Sequence, residues 1–95
     1  MVLKYSRKFI SQFKKYDDDK KLLQLIGKKI NHVKTVSSAS EISELVPIRK
    51  TTSHYRIKFK ITEKIIYRIG ISILDNTVWF ACIEKDKKRF YKQFP

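Results

Sequence analysis

Arg56, Lys58 and Lys60 occupy every second position of the run Tyr55-Arg-Ile-Lys-Phe-Lys-Ile61. In a strand, a period of two sends these cations to one face and Tyr55, Ile57, Phe59 and Ile61 to the other. The next run, Lys64-Ile-Ile-Tyr-Arg-Ile-Gly-Ile-Ser-Ile73, brings Arg68 to them. A turn through Thr62, Glu63 and Lys64 sets Ile61 opposite Ile65, Phe59 opposite Tyr67 and Ile57 opposite Ile69, so the apolar faces agree. A shorter turn would set Ile57 against Arg68. The accepted register puts Lys58 beside Arg68 and Arg56 beside Gly70. Like charges directly across a strand pair are unfavourable by about 0.2–1 kcal/mol, and an anion held between them removes the conflict. The alternative is a solvated strand face with splayed lysines.

A second basic group closes the chain. Glu84-Lys-Asp-Lys-Lys-Arg-Phe-Tyr-Lys-Gln-Phe-Pro95 interleaves Lys85, Lys87, Lys88, Arg89 and Lys92 with Phe90, Tyr91 and Phe94. Cations hold phosphates and rings stack on splayed bases, so the mixture suits single-stranded nucleic acid. A disordered basic tail is the competing reading, and three aromatics in the last six residues argue against it.

The whole composition points the same way. Lys and Arg number 22 against 9 Asp and Glu, a formal charge of +13 over 95 residues. Such an excess calls for a polyanionic partner: nucleic acid, an anionic membrane surface or an acidic protein. Ninety-five residues supply one core, hence a single domain over 1–95. No apolar run reaches membrane-spanning length and the N-terminus lacks a signal-peptide core, so a cytoplasmic, soluble protein is expected. The single cysteine, Cys82, excludes an internal disulfide and a cysteine zinc site and reads as a small core residue. His32 and His54 do not read as ligands, and the Asp17-Asp-Asp19 triplet has no further carboxylate or histidine spaced to complete a metal shell.

The elements that must position these residues are legible in order. Val2–Tyr5 reads as an edge strand, and Ser6 offers an N-cap oxygen to a helix over Ser6–Tyr16 carrying Phe9, Ile10 and Phe13. Leu22, Leu23, Ile26, Ile30 and Val33 mark a second helix from about Asp18 to about Val36, with negative charge favoured at its start. Ser38 and Glu41 have capping-box spacing for a short helical turn that Pro47 ends. Ile48–Ser53 is a basic, Thr-rich connection to the sheet. Asp75-Asn76 suits a tight hairpin turn into Thr77-Val-Trp-Phe-Ala-Cys-Ile83. Regular pairing there places Ile73 opposite Val78, Ile71 opposite Phe80 and Ile69 opposite Cys82 on the core side. Trp79, Ala81 and Ile83 then share a face with Arg68; Trp79 reads first as a packing residue and second as a base-stacking one.

In this order, Tyr55-Arg-Ile-Lys-Phe59, Tyr67-Arg-Ile-Gly-Ile71 and Asp86-Lys-Lys-Arg-Phe-Tyr-Lys-Gln-Phe-Pro95 resemble the RelE/ParE superfamily of bacterial toxins from toxin–antitoxin pairs, over nearly the whole chain. The resemblance implies an α+β fold in which two N-terminal helices pack on one face of a small antiparallel sheet. It also implies a ribosome-dependent mRNA interferase, an endoribonuclease that uses the RNA's own 2′-hydroxyl as nucleophile and needs neither metal nor other cofactor. By matching positions, Arg56, Lys58 and Arg68 line the active face, with Lys87 (or Lys85) and Tyr91 from the last strand and tail. Arg68 would stabilise the phosphoryl oxygens, Lys58 would favour loss of the 2′-hydroxyl proton, its pKa lowered by Arg56 and Arg68, and Tyr91 would stack on or orient a base. Lys60, Lys85, Lys88, Arg89 and Lys92 would bind RNA. The implied partners are the ribosome, mRNA and an acidic antitoxin protein, with no membrane. Asp86 stands where the family often has histidine, and Lys87 where it usually has arginine. A ParE-like inhibitor of DNA gyrase without nuclease activity is the alternative function within the same superfamily, and a non-toxic nucleic-acid-binding module is the third.

Overall fold

The computed structural model describes residues 1–48 and 53–95; the expected connection through residues 49–52 lies outside them. The first strand, β1, is Val2–Tyr5, followed by helix α1 over Arg7–Lys14 and helix α2 over Lys20–Thr35. Ser6 caps α1: its Oγ accepts the Phe9 N–H at 3.0 Å, a contact worth about 1 kcal/mol. Asp19 caps α2 in the same way, accepting the Leu22 N–H at 3.0 Å. Both helices are shorter than their apolar pattern suggests because residues 15–18 form turns.

A short 3-10 turn, Ala39–Glu41, follows. Its capping partner is Ser37, whose N–H donates to the Glu41 carboxylate at 2.8 Å; Ser38 makes no side-chain cap bond. The remaining elements are β2 (Leu45–Pro47), β3 (His54–Lys60), β4 (Ile66–Leu74), β5 (Thr77–Glu84) and a third helix, α3 (Lys87–Gln93). Pro47 therefore lies in a strand and does not merely end a turn. On the sheet's edge, where one row of N–H groups needs no partner, proline is tolerated.

Among the described residues the strands form one sheet in the order β1-β5-β4-β3-β2. The sheet is mixed, not antiparallel throughout: β1 runs parallel to β5, with Val2 opposite Thr77 and Tyr5 opposite Phe80. Parallel neighbours need a long crossover, and the whole intervening chain supplies it. The register of β3 on β4 is the expected one, with Lys58 opposite Arg68, Arg56 opposite Gly70 and Phe59 opposite Tyr67. The Asp75 turn holds too, at φ 55°.

The register of β5 changes part-way. Ile71 faces Phe80, but Gly70 faces Cys82, Ile69 faces Ile83 and Arg68 faces Glu84, leaving Ala81 as a bulge. Regular pairing would have turned Glu84 toward the core beside Tyr67 and Ile83 away from it. The extra residue reverses both, and Ile83 is 1% exposed. Cys82 is consequently on the face opposite to the one expected.

Two cores result. Phe9, Leu22, Ile26 and Val33 of α1 and α2 pack with Ile57, Phe59, Ile69, Ile71, Val78, Phe80 and Ile83. On the other face Cys82, Phe90 and Phe94 form a smaller cluster with Ile48 and Ala81 beneath α3. Burial pushes the Cys82 thiol up to about 11, so it is neutral at physiological pH.

Where β1 ends, α1 takes over the edge of β5. The Ser6 hydroxyl donates to the Ala81 carbonyl at 2.7 Å, and Gln12 Oε1 accepts the Ile83 N–H at 2.8 Å. The Gln12 amide also donates to Gln93 Oε1 at 3.1 Å, reaching α3.

Candidate nucleic-acid interface

The tail is a helix, and its sequence explains how that helix starts and docks. The Glu84 carboxylate accepts the Lys85 and Asp86 N–H groups at 2.8 and 3.1 Å, tightening the turn out of β5. Asp86 then caps α3 by accepting the Arg89 N–H at 2.9 Å. Phe90 and Phe94, one turn apart, face the sheet and are buried. Phe94 meets the His54 ring edge-on, with centroids 5.4 Å apart. It sits directly over Gly70, where a Cβ would come within 2.7 Å of the Phe94 ring and 2.9 Å of Cys82 Sγ. Glycine inside a strand is a signal of such close approach.

That docking turns Lys87 and Tyr91, also four residues apart, toward Arg56. The three line a cleft of about 600 Å³ with Val46, Pro47, Ile48, Phe94 and Pro95. The cleft pairs a cationic side, Arg56 and Lys87, with an apolar wall from β2 and the end of the chain. Tyr91 is 42% exposed within it. Of the three tail aromatics it is the one available to a ligand, since Phe90 and Phe94 are core residues.

Lys58 and Arg68 lie on the same sheet face, two residues along from Arg56 and Gly70 and so about 7 Å away. They do not line this cleft. Lys58 borders a separate cavity with Lys29, Glu44 and Lys60. Arg68 is half-buried and its Nε is enclosed without a hydrogen-bond partner. Glu84 faces Arg68 across the strands, yet forms no ion pair with it. The ion pairs among the described residues are Lys29–Glu44 at 2.9 Å and Lys60–Glu63 at 4.0 Å. Arg56, Lys58, Arg68 and Lys87 are thus unneutralised by the described carboxylates. Lys85 is exposed in the turn before α3, while Lys88, Arg89 and Lys92 are exposed on the helix itself. His32 Nε2 accepts the Ser43 N–H at 2.9 Å, a structural bond.

Sequence reasoning missed the β2 wall and the seat beneath Phe94. Gly70, isolated in an apolar strand, was the available signal for the second. Nothing local marked the first.

Asp86 is held below its usual value of 3.8, first by the Arg89 N–H, so its cap contributes stability above the unfolded aspartate range and loses it as pH falls through the lowered folded value. Asp86→Ala is expected to speed hydrogen exchange of the α3 amides at neutral pH and to remove this acid-side dependence, whereas Asp86→Asn keeps the cap. Unchanged exchange in Asp86→Ala would show that Phe90 and Phe94 alone hold the helix.

The same arrangement of elements occurs in a chain of the RelB–RelE antitoxin–toxin complex from Methanococcus jannaschii. The TM-score is 0.69 and the identity 21%, over 97% of this chain and 99% of that one. The chain has the RelE fold. A chain of the YoeB dimer from Staphylococcus aureus is also similar, with a TM-score of 0.66 and 16% identity over 90% of this chain and 97% of that one. No protein-family model and no curated protein matches the sequence. In this RelE fold the third helix is the element that brings Lys87 and Tyr91 over the sheet.

Proposed function

We propose that this protein is the toxin of a toxin–antitoxin pair and a metal-independent endoribonuclease that cuts messenger RNA on the ribosome. The observation that carries the reading is the cleft in which Arg56, Lys87 and Tyr91 meet beside Lys58 and Arg68. The RelE fold supports it, because one similar structure is an antitoxin–toxin complex. Arg56 and Lys87 hold the non-bridging oxygens of a phosphodiester, and Tyr91 stacks on an adjoining base. Lys58 accepts the proton of the 2′-hydroxyl. The 2′-oxygen bonds to phosphorus as the bond to the 5′-oxygen breaks, and the Lys87 ammonium returns a proton to that leaving oxygen. The products are a 2′,3′-cyclic phosphate and a 5′-hydroxyl. Arg68 stabilises the negative charge that builds on the phosphoryl oxygens, the task a metal ion performs elsewhere.

The formal charge of +13 supports an acidic antitoxin as the resting partner. No helix among the described residues is long and apolar enough to cross a membrane, and the proposed substrate puts the protein in the cytoplasm.

Induced expression should stop growth and create new RNA ends only within translated messages. Lys87→Ala should abolish the ends and Lys85→Ala should leave them, since only Lys87 lines the cleft. Growth arrest with intact messages would overturn the nuclease reading, and inhibited DNA supercoiling by the purified chain would assign it to gyrase instead.

A further inference from the structure

The sheet face that carries Arg56 continues beyond α3. Strand register places His54, Ser72, Trp79 and Lys4 in one row across β3, β4, β5 and β1, and Leu74, Thr77 and Val2 in the next. Trp79 is 40% exposed, and Leu74 and Val2 are more exposed still. Lys4 Nζ lies 5.3 Å from the centre of the indole ring. These rows contain no carboxylate. A contiguous exposed apolar patch built around an indole marks a contact surface.

Charge and position select its occupant. Lys4 stands in the row, and Lys88, Arg89 and Lys92 are exposed on α3, the helix between this patch and the cleft. Trp79 is two strands over and two residues along from Arg56, about 12 Å by strand spacing and rise. The two places thus share one face, joined by a cationic ridge. We infer that Trp79, with Lys4, is a second base-stacking subsite for single-stranded RNA whose reactive phosphodiester lies at Arg56. A base taking the indole face displaces the Lys4 ammonium, which then pairs with the adjoining phosphate. Stacking of a base on an aromatic ring is the stronger contact, so the exchange is favourable. The inference rests on the ribonuclease reading and adds a subsite outside its cleft.

Trp79 is the only tryptophan, so its emission reports on the subsite directly. The full chain would be titrated with a 2′-O-methyl hexanucleotide and a 2′-O-methyl dinucleotide, neither of which can be cut. Binding would be read by anisotropy of end-labelled oligomers and emission with unlabelled ones. The hexanucleotide should quench Trp79 with the same dissociation constant that anisotropy gives. Trp79→Ala should weaken its binding about tenfold, Trp79→Phe should restore most of that loss, and dinucleotide binding should be unchanged by either. Hexanucleotide binding without quenching, and unaffected by Trp79→Ala, would overturn the subsite and leave the cleft reading intact. Failure of both oligomers to bind would also overturn the subsite, whereas the cleft reading stands or falls with cleavage on programmed ribosomes. Emission that shifts with protein concentration in the absence of RNA would assign the patch to a second copy of the chain and overturn the inference.

Discussion

Arg56→Ala is expected to slow RNA cleavage about 10²- to 10³-fold, the usual effect of removing one donor aimed at developing negative charge. The folded state should change little, because Arg56 is half-buried, lies on the face opposite the main core and makes no ion pair among the described residues. Its cross-strand neighbours are Gly70 on β4 and the apolar Val46 on β2, so no polar side chain opposite competes for the guanidinium. Arg56→Lys should recover only part of the rate, since an ammonium keeps the charge and loses the planar fork that grips two phosphoryl oxygens. Single-turnover cleavage on programmed ribosomes, with a thermal melt of each variant, separates the effects. A well-folded Arg56→Ala protein cutting at the wild-type rate would remove this residue from the mechanism.

Gly70→Ala should do more damage through the fold. The added carbon would lie 2.7 and 2.8 Å from two atoms of the Phe94 ring and 2.9 Å from Cys82 Sγ. Real contacts do not close that far, so the ring must leave its seat. Overpacking of this kind costs about 1–3 kcal/mol, which for a domain of this size lowers the melting temperature by roughly 5–20 °C. Because Phe94 anchors the end of α3, Lys87 and Tyr91 lose their position over the sheet and cleavage falls with them. The double variant Gly70→Ala/Phe94→Ala provides the check. Removing the ring relieves the clash, so Phe94→Ala should destabilise far less in the Gly70→Ala background than alone. Additive losses would mean that the ring and the glycine do not constrain one another.

How much of this was visible beforehand follows from the range of each interaction. The pairing of β3 with β4 was legible because alternating cations and aliphatics tolerate one register and punish its neighbours. The caps at Ser6 and Asp19 were legible as short-range chemistry, although the turn after α1 trimmed both helices. The strand Leu45–Pro47 was not, being only three residues long and ending in proline; only the neighbouring β3 makes it a strand. The parallel seating of β1 on β5 joins opposite ends of the chain, which no local pattern records. Strict alternation also failed at Ala81, where keeping Glu84 out of the core outweighed regular pairing. The candidate site divides along the same line. Arg56, Lys58 and Arg68 were placed on one face by periodicity, whereas the enclosure of Arg56 by β2 and α3 depends on two long-range packings.

Gln12 ties together helices that lie on opposite sides of the sheet: one amide holds the Ile83 N–H with its oxygen and Gln93 with its nitrogen. Mechanically it is a crossbar. If α1 pulls away, a main-chain donor near the bulge loses its acceptor, a loss of about 1–3 kcal/mol where water cannot replace it, and Gln93 loses its partner at the same time. The back of the molecule and the end of α3 therefore loosen together, and the cleft is only as rigid as the grip of α1 on the strand it shares with α3.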